Sequence, residues 1–313
     1  PMVLGPGGSE DFVSSLEQST NCRFNAPATY VPERNKRDRY SQRFALSYVT
    51  GSHAFKFGIQ QNEGHQDEVR VALGLPGEKG VGYTFNRGVP VSLNYSSEPH
   101  AVEVFQKAEL GIYAQDQWVL KRLTLNYGLR FDYVNGYVPP LHLDAGPFLP
   151  ERNFDAVHKV PNWMDWNPRA GVSYDVRGDG RTAGKVSLGR YGDLTNPGFI
   201  TSNAPVNTSV NAANRSWTDT NGNYRPDCDL KNFTANGECG PISNQNFGKN
   251  NPDATKYAND VRTGFGARMS TWDFGAEIQH QLAGGVSATA GYYRNWDVNF
   301  HVTDNTAVGP EDF

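Results

Sequence analysis

Apolar and polar residues alternate along most of this chain. From Leu123 to Tyr133, Leu123, Leu125, Tyr127, Leu129, Phe131 and Tyr133 are apolar, and Thr124, Asn126, Gly128, Arg130 and Asp132 between them are polar or small. A period of two gives a strand with one apolar and one wet face. Its eleven residues exceed an ordinary strand and match the roughly 9–11 needed to cross a bilayer at a tilt. The pattern recurs in pairs. Phe44, Leu46 and Tyr48 turn at Thr50-Gly51-Ser52-His53 into Phe55, Phe57 and Ile59; Leu110, Ile112 and Ala114 run to Trp118 and turn at Lys121-Arg122 into the Leu123 strand. Ala170, Val172, Tyr174 and Val176 turn at Arg177-Gly178-Asp179-Gly180 into Val186 and Leu188; Trp272, Phe274, Ala276 and Ile278 turn at Ala283-Gly284-Gly285 into Val286, Ala288, Ala290 and Tyr292. A weaker hairpin at 80–98 turns at Arg87-Gly88-Val89-Pro90. Gly and Asp at such tips supply the positive φ of tight hairpins.

These patterns predict about ten strands, joined alternately by short turns and by long polar connections at 138–163 and 194–266. Structureless loops of that size are uncommon in a compact soluble domain. Short turns alternating with long loops are the pattern of an outer-membrane barrel. The predicted fold is therefore all-β: an antiparallel up-and-down transmembrane β-barrel, partial, with long extracellular loops. Period-two strands also build soluble sandwiches and propellers, but with shorter strands and shorter loops.

Composition narrows this further. Aromatic residues make up 12% of the chain while hydrophobic residues reach only 37%, with 33 glycines, which favours strands and turns over helices. No run of apolar residues exceeds three, which excludes α-helical membrane spans. The net charge of -4 leaves no basic footprint for nucleic acid. Three cysteines are too few for a disulfide scaffold. Cys228 and Cys239 lie close together in one polar segment and are a candidate disulfide, implying an oxidising compartment; Cys22 is left over.

Candidate chemistry is sparse. In the longest loop, Asp219, Asn221, Asn223, Asp227 and Asp229 place oxygen ligands at alternate positions, like the first half of a calcium loop. A Ca²⁺ there would stiffen the loop. The pattern lacks a Gly at the sixth position and a bidentate Glu at the twelfth, and an Asx-rich turn without metal is the competing reading. The histidines (His53, His65, His100, His142, His158, His280 and His301) show no metal-ligand spacing and read as surface or lumen residues. Gly74–Gly80 lacks the spacing of a phosphate loop, no GxSxG stretch is present, and Glu63, Asp67 and Glu68 read as a solvated loop. No catalytic or cofactor-binding residue is assigned, and the chain is expected not to be an enzyme. Trp118, Trp163, Trp166, Trp272 and Trp296 lie near predicted strand ends, where interfacial girdles form, while Asn126, Arg130, Lys185 and Gln279 would face a lumen.

The stretch Tyr113-Ala-Gln-Asp-Gln-Trp118 followed by Leu123-Thr-Leu-Asn-Tyr-Gly-Leu-Arg-Phe-Asp132 resembles a mid-barrel hairpin of the TonB-dependent outer-membrane receptors. Asn167-Pro-Arg-Ala-Gly-Val-Ser-Tyr-Asp175 resembles the next strand of that family. Arg215–Tyr224 and Gly291–Trp296 are similar to its Oar-like subgroup, whose members usually carry a carboxypeptidase-regulatory-like N-terminal domain. The resemblance covers about residues 40–305. It implies a barrel of 22 strands around a plugged lumen. Neither a plug nor a TonB box is found here, and Phe313 follows no strand, so the chain reads as a mid-barrel piece with two unpaired edges. The expected division is an extracellular loop segment at 1–39, partial barrel at 40–300, and the start of another extracellular loop at 301–313.

The resemblance implies a bacterial outer-membrane transporter taking up a scarce solute. Its partners would be outer-membrane lipid, the TonB–ExbB–ExbD machinery acting through the plug and TonB box, and an unidentified solute or oligomer ligand. Adhesion or binding through the long loops, without transport, is the alternative. A secreted soluble β-rich enzyme or lectin is the third reading, and no convergent polar cluster supports it.

Overall fold

The computed structural model describes residues 12–26, 29–193 and 197–312. In chain order its strands are β1 (Ser15–Glu17), β2 (Cys22–Phe24), β3 (Tyr30–Thr50), β4 (His53–Ala72), β5 (Val81–Asn86), β6 (Val89–Ser96), β7 (His100–Leu120) and β8 (Leu123–Val138). They continue with β9 (Leu141–Leu143), β10 (Arg152–Phe154), β11 (Val157–Asp175), β12 (Thr182–Gly192), β13 (Ala212–Ser216), β14 (Thr263–Phe265), β15 (Ser270–Gln281) and β16 (Ser287–Val298). Two short helices, α1 (Pro197–Ser202) and α2 (Asn259–Arg262), lie in the longest connection. No helix among the described residues is long and apolar enough to cross a membrane.

Eight long strands form one open wall in the order β16-β15-β12-β11-β8-β7-β4-β3, with β14 added in parallel to β11. All eight pair antiparallel with their neighbours. The register carries the alternation from strand to strand. Leu46 pairs with Phe57, Phe57 with Ala114, Ala114 with Leu129 and Leu129 with Pro168, so one face is continuously apolar. Phe44, Leu46, Tyr48, Phe57 and Ile59 on it are 41–65% exposed, which is a surface built for an apolar solvent rather than a core. Aromatic residues mark its two margins. Tyr48 and Tyr40 on β3 stand eight residues apart, about 26 Å along the strand. Tyr48, Phe55 and Trp118 define the margin near the short turns; Tyr40, Trp166, Trp272 and Trp296 define the other. Trp163 departs from the girdle expectation. It points to the other face, is 5% exposed, and its Nε1 donates to the Val261 carbonyl at 2.8 Å.

The short turns have local causes. Gly51 and Lys121 take φ of 55° and 52° at two tight hairpins. In the third, the Asp175 carboxylate accepts the N–H groups of Gly178 and Gly180 at 2.8 and 2.9 Å.

The wall rises well past the apolar band. β3, β4 and β7 have 21, 20 and 21 residues, about twice what a membrane crossing uses. Glu63, Asp67 and Glu68, expected in a solvated loop, lie in β4 and pair across to Tyr40, Lys36 and Asn35. β3 runs through the expected boundary at residue 39, β8 ends at Val138 where the 138–163 connection was expected to begin, and β11, starting at Val157, shortens that connection from its far end. Residues 301–309 carry no strand.

The hairpin at 80–98 leaves the wall. As β5 and β6 it joins a second sheet of order β13-β6-β5-β1-β2. Val81, Tyr83, Phe85, Leu93 and Tyr95 pack there with Leu149, Trp217, Leu230, Ile242 and Phe247 from the two long connections. The expected long loop at 194–266 is thus largely a folded cap with its own core. A second core, Val102, Val104, Val138, Val160, Ile200 and Val206, joins α1 to the upper wall.

Candidate functional site

Two surfaces combine the polar chemistry of the molecule: the inner face of the wall and the cap. The inner face carries the polar alternates. Arg43 and Lys56 from β3 and β4, Tyr113 and Gln115 from β7, Asn126 and Arg130 from β8, and Arg169 from β11 border a groove of about 570 Å³. Asn126 and Arg130 thus stand where a lumen-facing role requires. Lys185 does too, joined to Glu277 at 2.9 Å, and Gln279 takes a 3.4 Å bond from the same ammonium.

Glycines let large polar side chains lie flat on this face. A Cβ at Gly111 would meet the Arg130 guanidinium at 1.9 Å, and one at Gly58 would meet the Tyr113 ring at 2.4 Å. The two family-like motifs meet here. Arg130 Nε donates to Asp132 at 2.7 Å, and Asn167 donates its amide to the same carboxylate at 2.6 Å. Arg190 donates to Asn167 at 3.3 Å, to the Trp166 carbonyl at 2.9 Å and to Asp165 at 3.2 Å. Asp165 and Asn167 are each 1% exposed; the Arg190 guanidinium offsets the Asp165 charge out of water through Oδ1, while Oδ2 has no hydrogen-bond partner. Pairing between β11 and β12 stops at Arg169 and Gly189, and Arg190 bonds across the gap that opens above.

The cap residues singled out by sequence fall into two groups. Asp219 accepts the N–H groups of Gly222, Asn223 and Tyr224 at 2.8, 3.3 and 2.9 Å. Asp227 Oδ2 accepts the side-chain amides of Asn221 and Asn223 at 2.6 and 2.9 Å. Asp229 sits apart and accepts the Lys231 N–H at 2.9 Å. These are Asx turns, closed on themselves. Among the described residues no group of three or more His, Cys, Asp or Glu side chains is arranged to hold a metal ion. Cys228 and Cys239 are joined in a disulfide across this turn, and Cys22 is free and exposed.

Sequence reasoning missed Glu238. Its carboxylate accepts the Thr220 hydroxyl and N–H at 2.6 Å each and the Asp227 N–H at 3.2 Å, tying the two ends of the turn together. The Thr220 hydroxyl foremost holds its pKa down at about 2. Nothing local to Glu238 in the sequence signals this, because its partners lie 11 and 18 residues upstream. His100 was also misplaced as a surface or lumen residue. It is 5% exposed where the cap meets the wall, with Nε2 unpartnered, and burial first, then Arg70 and Arg152, pull its pKa down to about 4.

An open antiparallel wall with an apolar band between aromatic margins, a polar inner face, short turns at one end and a folded cap at the other defines an outer-membrane β-barrel protein. The chain matches the family model of the outer membrane beta barrel domain over residues 5–309, and it belongs to that family. Its place is the bacterial outer membrane. No curated protein and no solved structure matches it.

Proposed function

We propose that this chain supplies wall and extracellular cap to a TonB-dependent outer-membrane transporter that takes up a scarce solute. The observation that carries the reading is the inner groove, where Arg43, Lys56, Arg130 and Arg169 line a polar face below a folded cap. A polar inner face of this kind suits a plug or a passing solute, and the cap lies where a solute arrives from outside. The motifs that resemble the TonB-dependent receptors, Tyr113–Trp118, Leu123–Asp132 and Asn167–Asp175, build that same inner face. TonB–ExbB–ExbD would act through a plug and TonB box outside these residues. The proposal gives the chain a binding and conducting role and no covalent chemistry.

Adhesion through the cap is the second reading, favoured by the cap's independent core and disulfide. A gene deletion separates the two. Transport predicts a growth or uptake defect on a limiting solute, reproduced by deleting tonB in the same strain. Loss of surface attachment with normal uptake, in a tonB-independent manner, supports adhesion and overturns transport.

A further inference from the structure

The rim of short turns is not uniform. The turn between β7 and β8 carries Lys121 and Arg122, and the turn between β11 and β12 carries Arg177 and Arg181. The other two, Gly51-Ser52 and Leu282–Val286, carry neither lysine nor arginine. The two basic turns are neighbours, because β8 pairs with β11. The Asp175 N–H donates to the Arg122 carbonyl at 2.9 Å, and a Cβ at Gly178 would meet the Arg122 guanidinium at 2.4 Å, so that side chain lies across the second turn. Four exposed cations thus share this part of the rim with two carboxylates, Asp175 and Asp179. Both carboxylates serve the backbone: Asp175 accepts the Gly178 and Gly180 N–H groups, and Asp179 accepts the Arg181 N–H at 2.9 Å. Among the described residues none of the four cations forms an ion pair. A basic cluster at a membrane surface attracts anionic lipid headgroups.

Directly beyond this patch the lipid-facing side of the wall is hollowed. A groove of about 620 Å³ lies there, bordered by Tyr174, Ile278 and Tyr292. Its cause is the change of side-chain size across the pairing rows. Tyr174, Gly184, Ile278 and Ala290 form one row, and Val172, Val186, Ala276 and Tyr292 form the next. Gly184, Ala276 and Ala290 leave the hollow, while Tyr174, Ile278 and Tyr292, 45%, 52% and 60% exposed, stand beside it. A Cβ at Gly184 would meet nothing within 4 Å. Lys185 and Glu277, also at its border, pair with each other on the inner face at 2.9 Å.

We propose that the basic turns and this groove together bind an anionic glycerophospholipid of the periplasmic leaflet, the leaflet that short barrel turns face. The phosphate diester lies at Arg122, Arg177 and Arg181, whose planar guanidinium groups match phosphate oxygens. An acyl chain fills the hollow over Gly184. Arg177 and Arg181 each stand three residues from Tyr174 and Gly184 respectively, about 10 Å along the strands, so one lipid can reach both. A zwitterionic headgroup brings its own ammonium into the same positive field and gains less. A free phosphate would use the turns and leave the groove empty; a neutral chain would do the reverse. The inference needs the wall to span the membrane and is independent of TonB, so failure of one does not entail failure of the other.

The test is native mass spectrometry of the protein in zwitterionic detergent micelles, titrated with phosphatidylglycerol, cardiolipin and phosphatidylethanolamine. At least one of the two anionic lipids should be retained at least tenfold more tightly than phosphatidylethanolamine. Arg177→Ala combined with Arg181→Ala should erase that preference. Gly184→Leu, which fills open space, should weaken retention of the anionic lipid at least fivefold. Lys231→Ala in the cap should change neither, and far-ultraviolet spectra should be preserved throughout. Equal retention of the three lipids, a preference that survives the double arginine variant, or retention indifferent to Gly184→Leu overturns the proposal. Complete displacement of the lipid by millimolar inorganic phosphate would reduce the patch to a plain anion site and overturns it likewise.

Discussion

His53 Nδ1 and Asp116 Oδ2 lie 2.6 Å apart on the apolar face of the wall, close above the short turns. Asp116 also accepts the Tyr127 hydroxyl at 2.9 Å and the Ala54 N–H at 3.2 Å, and the His53 ring stacks between Phe55 and Trp118 at 5.2 and 5.1 Å. A carboxylate on a lipid-facing surface is tolerated when its neighbours cover it, and Asp116 is 4% exposed. The Asp of the Tyr113–Trp118 motif is thus the hub of the lower aromatic margin, crosslinking β4, β7 and β8. Asp116→Ala should cost about 1–3 kcal/mol and Tyr127→Phe about 1 kcal/mol. Denaturant titration of the protein in micelles measures both. Equal stability of Asp116→Ala and wild type would show that the hub holds nothing together.

On the opposite face, the Arg190–Asp165 pair predicts strong coupling. Arg190→Ala strands the buried Asp165 carboxylate and should destabilise by roughly 3–5 kcal/mol. Removing both charges, as Asp165→Leu with Arg190→Met, should recover most of the loss, because well-packed apolar pairs replace buried ion pairs at little cost. A double-mutant cycle on unfolding free energy checks it. Additive losses would mean that the two side chains act independently.

How much of this was legible in the sequence follows from where partners lie. All eight wall strands and their four short turns could be read from alternation, because lipid on one side and polar groups on the other impose a period of two at every position. The 80–98 hairpin was read into the wall because Tyr83, Phe85, Leu93 and Tyr95 alternate or cluster just as wall residues do. Alternation states that a face is buried without stating against what, and the burying partners are Leu149, Trp217 and Phe247, far along the chain. The upward extension of β3 and β4 was missed for the converse reason. Arg34–Tyr40 and Asn62–Glu68 carry charge on both faces, and their strand state comes from each other, through pairs such as Arg34–Asp67 at 2.7 Å. The cysteine pair was legible because the two residues are close in sequence. The line of rings from Phe24 through Phe85 to Tyr224, 5.9 and 6.4 Å apart, was not, because its members come from three separate segments.

His100 predicts a pH response of the cap–wall junction. Its folded pKa of about 4 lies below the ordinary imidazole value of 6.5, because burial and the facing Arg70 and Arg152 oppose a third positive charge, while Glu68 opposes them weakly and Asn207 bonds the ring. The unfolded state therefore binds the proton more readily. The stabilisation is complete above pH 6.5 and is lost as pH falls from there to about 4. The loss amounts to about 3 kcal/mol at its limit. His100→Gln should flatten this part of the pH–stability curve. Hydrogen exchange of β7 and α1 between pH 7 and 4 is the measurement, and an unchanged acid slope in the variant would assign the loss to other groups.

The Asp219 turn predicts indifference to calcium. Both Asp219 oxygens and Asp227 Oδ2 are already taken by N–H donors of the turn, and Glu238 and the Cys228–Cys239 disulfide close its ends. A cation entering there competes with those donors for the oxygens that already hold the turn closed. Chelation with EDTA should leave the melting temperature of the cap within about 1 °C, against the 2–8 °C that follows from 1 kcal/mol in domains of ordinary size. Asp219→Ala, by contrast, removes three N–H acceptances at once and frees Tyr224 from its positive φ, and should lower the melting temperature by several degrees. Reducing the disulfide, whose cysteines are 11 residues apart, should cost about 3 kcal/mol and add to the effect. A rise of several degrees on adding millimolar Ca²⁺, abolished by Asp219→Ala, would instead establish a calcium loop whose oxygens turn toward the ion when it binds.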